Sequence, residues 1–187
     1  MNVITVGYDS TNYYVLADAK PKLLIDAGWP GTMAKLRHAC KRMGVRMEDI
    51  PCFIATHYHP DHAGLGRELQ DAGLKVVVME NQVAAVPGMK AYMKPEHRYR
   101  ELNLKMAQHL AFAEGRAWLA KLGIAGEVTA TPGHSDDGVS VVLEDGSAFT
   151  GDLTPPIMSD DETVAASWAK LRTLGMKRVY PGHGNSR

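Results

Sequence analysis

The chain of 187 residues alternates between short apolar runs and longer stretches in which apolar residues recur every three or four positions. Short runs bounded by glycine, proline or aspartate are typical of strands, and the wider spacing is typical of amphipathic helices. In the first half, the pattern predicts helices over residues 32–44 and 62–73, with Thr32 capping the first and Gly44 ending it. The predicted strands are residues 2–7, 12–17, 22–28, 52–56 and 75–80.

The second half repeats this order of strands followed by a helix. Residues 127–131 form one predicted strand, and residues 139–152 form a hairpin whose tight turn is the Asp-Gly pair at its middle. Asp-Gly is a strong hairpin signal because such a turn needs positive φ. A capped helix is predicted over 160–175 and a last strand with its loop over 178–184. The chain therefore has a rough two-part symmetry.

The segment between the two halves, residues 81–122, differs from both. Its first part is irregular and rich in methionine, and residues 98–123 predict one long helix that Gly115 interrupts. This helix carries more apolar surface than a solvated helix needs. Two interpretations stay open: the segment packs against the sheet, or it is a helical flap over a substrate pocket, as connections of this length often are.

Length and charge narrow the class of protein. The length suits a single domain over residues 1–187, and the formal net charge is zero. No basic excess points to nucleic acid or anionic lipid. No apolar run approaches the roughly 18 residues of a membrane span, and the first residues do not resemble a signal peptide. We therefore expect a cytoplasmic location, no nucleic-acid or membrane partner, and reduced thiols at Cys40 and Cys52.

Candidate chemistry begins where the predicted strand 52–56 ends. Three histidines and an aspartate occupy six consecutive positions there: His57, His59, Asp61 and His62. Residues two apart on a strand project to the same side, so the first two imidazoles converge. Imidazole and carboxylate are ligands of zinc and similar divalent ions, whereas four unligated groups of this kind are costly to bury together.

Three further candidates repeat the same pattern later in the chain. Each follows an apolar strand and lies beside glycine or proline, which lets the backbone turn sharply: His134, Asp152 and His183. With the first cluster they make seven candidate ligands. Seven exceeds the need of one tetrahedral ion and suits two ions that share a carboxylate.

This set of residues resembles the metallo-β-lactamase-fold hydrolases. The resemblance rests on the motif Thr56-His57-x-His59-x-Asp61-His62, followed in order by His134, Asp152 and His183, and on the opening strands "STNYYVLADAKPKLLIDAG". It covers nearly the whole chain and implies an α/β fold of the family type, a four-layer αββα sandwich with metals at one edge.

The resemblance also implies a division of roles. The first metal would be held by His57, His59 and His134, the second by Asp61, His62 and His183, and Asp152 would bridge them. A hydroxide between the metals would attack a carbonyl, with Asp61 orienting it and later protonating the leaving group. Zinc is the favoured metal, with iron or manganese as alternatives. Family members that reduce oxygen carry an acidic residue at the position of His59, so hydrolysis is favoured.

Three more aspartates lie beside these motifs. Asp26 ends an apolar strand at a family-like position and is expected to support a ligand rather than face solvent. Asp136 and Asp137 follow His134 and are interpreted as turn residues, with the orienting of an imidazole as the alternative.

The substrate is less specified than the site. We expect a metal-dependent hydrolase that acts on a small-molecule thioester, ester or lactone. Alternatives are a β-lactamase or phosphodiesterase activity at the same site, or a non-hydrolytic metal-binding or redox protein. The pattern leaves open whether the chain forms a homodimer.

Overall fold

Two β-sheets carry the architecture of the computed structural model, which describes residues 1–185. The first sheet has the strand order β1-β2-β3-β4-β5-β6 and the second has the order β10-β9-β8-β7. The strands of the first sheet are β1 Asn2–Thr5, β2 Tyr14–Ala17, β3 Pro21–Ile25, β4 Cys52–Ile54, β5 Lys75–Met79 and β6 Gln108–Leu110. Those of the second are β7 Gly126–Ala130, β8 Val139–Leu143, β9 Ser147–Gly151 and β10 Arg178–Pro181.

Strand direction places the important loops at one edge. Strands β3 to β6 pair in parallel, as do β9 and β10, whereas β7, β8 and β9 pair in antiparallel order. Parallel neighbours end at the same edge of a sheet, and β7 runs in the same direction as β9 because both are antiparallel to β8. The loops that follow β7, β9 and β10 therefore open at one end of the second sheet.

Helices connect the parallel strands and cover the sheets. Their bounds are α1 Met33–Arg42, α2 Pro60–Ala63, α3 Gly66–Asp71, α4 Ala85–Gly88, α5 Phe112–Lys121 and α6 Glu162–Thr173. Short 3₁₀ turns occur at Met47–Asp49, Met89–Tyr92, Pro95–His97 and Pro156–Met158. None of the helices within residues 1–185 has the length and apolar character needed to cross a bilayer.

The core divides into three apolar layers because successive strand residues point to opposite faces. On β4, Phe53 packs with α1 and α3, whereas Ile54 faces the second sheet. On the far side of the second sheet, Val142 and Ala148 pack against Trp168 of α6. The order is helices, sheet, sheet, helix, which confirms the expected α/β four-layer αββα sandwich.

Most strand and helix predictions are confirmed, including the hairpin between β8 and β9, whose Gly146 has a φ of 93°. Two local predictions are wrong. Thr32 does not cap α1; its hydroxyl donates to Trp29 O at 2.6 Å instead. The helix expected over 62–73 is divided into α2 and α3.

The long helix expected over 98–123 is also wrong. Only α5 is helical there, and Gly115 lies inside it, where an added Cβ would meet Val128 at 3.3 Å. Leu102 and Leu110 have the spacing of one helical face but are buried in clusters on opposite sides of the first sheet, and β6 pairs with β5. That residues 81–122 act as a flap stays a prediction.

Candidate metal centre

All seven side chains singled out from the sequence lie together at the edge where the strands end. Four follow β4, and the others follow β7, β9 and β10 one each. His59 has extended backbone (ψ 154°) before Pro60 begins α2, and this turn places Asp61 and His62 on the first helical turn. Three overlapping groups of potential metal-binding atoms result, each with its atoms within 4.8 Å of one another.

The first group is formed by three imidazoles. Nδ1 of His59 lies 3.1 Å from Nε2 of His57 and 3.1 Å from Nε2 of His134. His57 is buried, whereas the His134 side chain is 34% exposed. This group therefore has a closed inner side and an open outer side.

The second group combines two imidazoles with a carboxylate. Oδ2 of Asp61 lies 3.5 Å from Nε2 of His62 and 3.2 Å from Nε2 of His183. His62 is fully buried, and the other two side chains are partly exposed. The second group is thus also closed on its inner side and open on its outer side.

Asp152 lies between the two groups and contacts both. Its Oδ1 is 3.3 Å from Nε2 of His62, and its Oδ2 is 3.3 Å from Nε2 of His183 and 3.7 Å from Nε2 of His134. Gly182 packs on this carboxylate so closely that an added Cβ would collide with it and would lie 2.5 Å from Cε1 of His62. The glycine therefore helps to set the position of the Asp152 carboxylate.

Asp26 orients the deepest imidazole. It has a left-handed backbone (φ 61°) and a buried carboxylate, whose Oδ2 accepts from Nδ1 of His62 at 2.9 Å. The same carboxylate accepts from N–H of Thr56 at 2.6 Å and from its hydroxyl at 2.8 Å. As expected, it supports a candidate ligand, and its bond to Nδ1 directs Nε2 toward the centre.

Further contacts hold the outer ligands. Nδ1 of His183 lies 2.7 Å from Ser10 O, and the hydroxyl of Thr11 donates to Oδ2 of Asp61 at 3.2 Å. The side-chain amide of Asn12 donates to the carbonyls on both sides of His183, at residues 181 and 184. The loop after β1 thus positions the last candidate ligand of the chain.

Sequence reasoning missed two supporting residues, and for a third it predicted the turn but not the contact that its carboxylate makes. The hydroxyl and amide of Thr56 bind Asp26, and the side chain of Gln82 bridges Met79 N and Ala55 O from a fully buried position. Asp137 is not merely a turn residue, because its buried carboxylate accepts from N–H of Tyr58 at 2.7 Å. The position of Thr56 beside the motif was an available signal; Gln82 carried none.

The electrostatics of the centre favour a cation. Burial lowers the pKa of His57 well below its usual value. Burial also lowers the pKa of His62, but Asp26 and Asp152 outweigh it and raise that pKa to about 10. Burial raises the pKa of Asp152, yet the nearby His62 imidazole and its charge dominate and hold it at about 2. The carboxylates therefore attract positive charge to this point, and His62 carries it when no metal ion does.

The residues present fit divalent metal ions. Nε2 of His62 and Oδ1 of Asp152 are buried without a hydrogen-bond partner among the described residues. Buried polar atoms of this kind are rare unless something binds them. The close imidazole nitrogens of the first group cannot all be satisfied by shared protons, whereas a cation would accept every lone pair. Imidazole with carboxylate is the ligand set of zinc, iron and manganese sites.

Two cavities open beside the centre. The larger one, of about 520 Å³, adjoins His134, Asp152 and His183 and continues along α6. The smaller one, of about 380 Å³, adjoins His59 and runs between Tyr92 and the loop 135–137. A molecule at the centre therefore has room on either side.

Comparison with known proteins agrees with this geometry. The chain is 25% identical over 179 residues to a β-lactamase-like protein 2 homolog of Caenorhabditis elegans, covering 93% of this chain and 56% of that protein. It is 28% identical over 187 residues to the atrochrysone carboxyl ACP thioesterase of Aspergillus fumigatus, covering 93% and 50%. The chain spans roughly half to three fifths of the length of most of the curated relatives it matches.

A solved structure of a metallo-β-lactamase family protein from Thermus thermophilus superposes with a TM-score of 0.74 at 20% identity, covering 99% of this chain and 73% of that one. Residues 6–183 match the family model described as the metallo-beta-lactamase superfamily. That match includes all seven candidate ligands. The chain belongs to the metallo-β-lactamase superfamily.

Proposed function

We propose that this protein is a metal-dependent hydrolase that holds two divalent cations and cleaves a small thioester, ester or lactone. One observation carries the proposal: two three-residue groups of metal-binding atoms lie side by side, and Asp152 contacts both. A single structural ion would not need seven candidate ligands, nor an outer side that opens into two cavities.

The contacts support a division of roles. His57, His59 and His134 would hold one cation, Asp61, His62 and His183 would hold the other, and Asp152 would bind both. When bound, two such ions lower the pKa of water toward neutrality and polarise a carbonyl oxygen. Zinc is our favoured metal, because imidazole and carboxylate are common zinc ligands.

Asp61 is the candidate for proton transfer. Hydrolysis joins the oxygen of water to the acyl carbon and breaks the bond to the leaving sulfur or oxygen, which must take up a proton. The Asp61 side chain is 23% exposed, whereas His62 beside it is fully buried. A carboxylate at the open face, held by the Thr11 hydroxyl, can accept the proton of water and return it to the leaving group.

The thioester is our first choice of substrate. The A. fumigatus relative is named as a thioesterase. Activated water is also a sufficient nucleophile for the acyl carbon of a thioester. A small-molecule substrate without nucleic-acid or membrane partners, and a cytoplasmic location, stay predictions. A homodimer also stays open.

Metal analysis followed by a substrate panel tests the proposal. Protein purified without added metal is analysed for zinc, iron and manganese, and then assayed with thioesters, esters, lactones, a β-lactam and a phosphodiester. We expect two metal ions per chain and chelator-sensitive thioester or lactone hydrolysis. Hydrolysis of only the β-lactam or the phosphodiester would assign the alternative activity, and no turnover with two metals bound would reject the hydrolase.

Two variants locate the activity. His57→Ala and His183→Ala should each lose metal and turnover together, since each removes a ligand of a different group. His38→Ala is the matched control, because His38 is an exposed histidine on α1 outside the site. If His57→Ala kept both metals, the proposed ligand set would be wrong.

A further inference from the structure

The larger cavity has mainly apolar walls that begin at the metal centre. Its inner end is formed by His134, Asp152 and His183, and its volume is about 520 Å³. The walls come from the loop after β9, from α6, from the connection that follows α6 and from β10: Leu153, Pro155, Pro156, Trp168, Met176 and Val179. This volume lies within the range of pockets for small organic ligands, which are mostly apolar with a few placed polar groups.

The walls are held in place by the fold. Trp168 is buried, and its indole N–H donates to Thr154 O at 2.7 Å, which fixes the ring between α6 and the loop after β9. Val164 and Leu171 anchor the same helix on the second sheet. The cavity is therefore a formed space and needs no rearrangement to admit an apolar chain.

Arg172 is the one arginine or lysine among the described residues that line this cavity. It lies one helical turn beyond Trp168 on α6, so the two side chains follow each other along the same face. Within residues 1–185, its guanidinium forms no ion pair. The ordinary alternative is that a basic residue in the last turn of a helix only favours the helix end.

The smaller cavity has acidic residues in its walls, Asp136 and Asp137, and no basic arginine or lysine among the described ones. An anionic group that extends from the centre is therefore attracted toward Arg172 and repelled from the other side. The charged residues of the two cavities thus favour binding of an anionic substrate group in the larger cavity.

We propose that the larger cavity binds the acyl part of the substrate, an apolar chain that ends in an anionic group such as a carboxylate, and that Arg172 binds this terminal anion. This inference rests on the proposed function and specifies its substrate class. Arg172 acts here as a specificity-determining residue. It lines the cavity together with the three residues of the metal centre but is not one of them. It takes no part in breaking the acyl bond.

Paired thioesters test the proposal on the metal-loaded protein. Thioesters of straight-chain monocarboxylic acids are compared with those of dicarboxylic acids of equal length, from glutarate to sebacate, in wild type and in Arg172→Met. Methionine keeps an unbranched apolar stem and removes the charge. We expect KM for the best dicarboxylic thioester to rise about tenfold with little change in kcat, as for a lost charged hydrogen bond.

Three comparisons make this effect specific. KM for the monocarboxylic partner should stay within about twofold in Arg172→Met, and Arg172→Lys should recover part of the preference. Arg42→Met is the matched control, because Arg42 is an exposed arginine in the last turn of α1, away from the cavity. An equal rise in KM for both substrates, or the same loss of preference in Arg42→Met, would overturn the role of Arg172.

Direct binding separates this inference from the hydrolase assignment. Calorimetry measures the affinity of suberate and octanoate for the zinc-loaded protein, and the ratio is compared between wild type and Arg172→Met. A ratio that favours suberate about tenfold in wild type alone supports the anion site even if no thioester is hydrolysed. An unchanged ratio rejects the anion site even if thioesters are hydrolysed.

Discussion

Replacement of Asp26 by asparagine tests how this buried carboxylate orients the His62 imidazole at the candidate metal centre. In wild type, Oδ1 of Asp26 accepts from N–H of Thr56, and Oδ2 accepts from the Thr56 hydroxyl and from Nδ1 of His62. Asparagine tolerates the left-handed backbone at this position (φ 61°), so the change adds little strain. If its oxygen keeps the bond to Thr56 N–H, its amide N–H₂ faces Nδ1 of His62.

The loss of stability and of metal affinity in Asp26→Asn can be estimated from these contacts. Nδ1 of His62 must then accept instead of donating, so the ring loses its Nδ1 proton and can hold one only on Nε2, the atom that faces Asp61 and Asp152. A buried, charge-assisted hydrogen bond is replaced by a neutral one, and this change should lower the free energy of unfolding by about 2 kcal/mol. Loss of such an orienting carboxylate typically weakens metal binding 10–100-fold, roughly the effect we expect here.

Two measurements check this prediction. Urea unfolding of the metal-free protein gives the stability difference, and competition with a chromophoric chelator gives the zinc affinity. Asp9→Asn is the matched control, because Asp9 has a similar left-handed backbone (φ 56°) but an exposed carboxylate paired with Lys35 at 2.8 Å. It should cost less than about 1 kcal/mol and leave zinc affinity unchanged. Wild-type zinc affinity in Asp26→Asn would refute the reasoning.

Three further predictions concern the same centre. In the metal-free protein, burial lowers the pKa of His62 but the neighbouring carboxylates raise it to about 10. Since the unfolded pKa is about 6.5, stability should fall as pH rises from about 6.5 to about 10, and zinc should remove this trend; a flat urea profile without metal would contradict it. Gly182→Ala should cost about 1–3 kcal/mol and displace Asp152, lowering zinc stoichiometry, whereas Gly88→Ala, where φ is −62° and an added Cβ meets nothing within 4 Å, should keep the metal. Gln82→Ala should lower the thermal midpoint by an amount equivalent to about 2–4 kcal/mol, because it leaves buried backbone groups unpaired, and an unchanged midpoint would exclude that role.

The positions of the candidate ligands could be predicted because each lies at a strand end that the local sequence marks. Apolar runs fix β4, β9 and β10, and the glycine or proline that follows turns the chain at the sheet edge. Strand direction then brings these ends together, so seven residues from distant parts of the chain form one cluster without any knowledge of contacts. Asp26 could be predicted for the same reason, since it directly follows β3.

The segment between the two sheets could not be predicted in the same way. Leu102 and Leu110 match helical spacing, but which side of the first sheet buries each of them depends on tertiary packing. Gln82 gave no pattern at all, because a lone glutamine after a strand is usually solvated. Its role depends on backbone groups from two other segments, which only the folded structure brings within reach.

The candidate ligands are divided between the two sheets. Those that follow β4 belong to the first sheet, and His134, Asp152 and His183 belong to the second. The first cation would therefore join His57 and His59 to a residue of the opposite sheet, and the second would do the same. Binding of metal would then oppose separation of the two sheets at this edge. Metal release in unfolding experiments would therefore report when the two sheets separate.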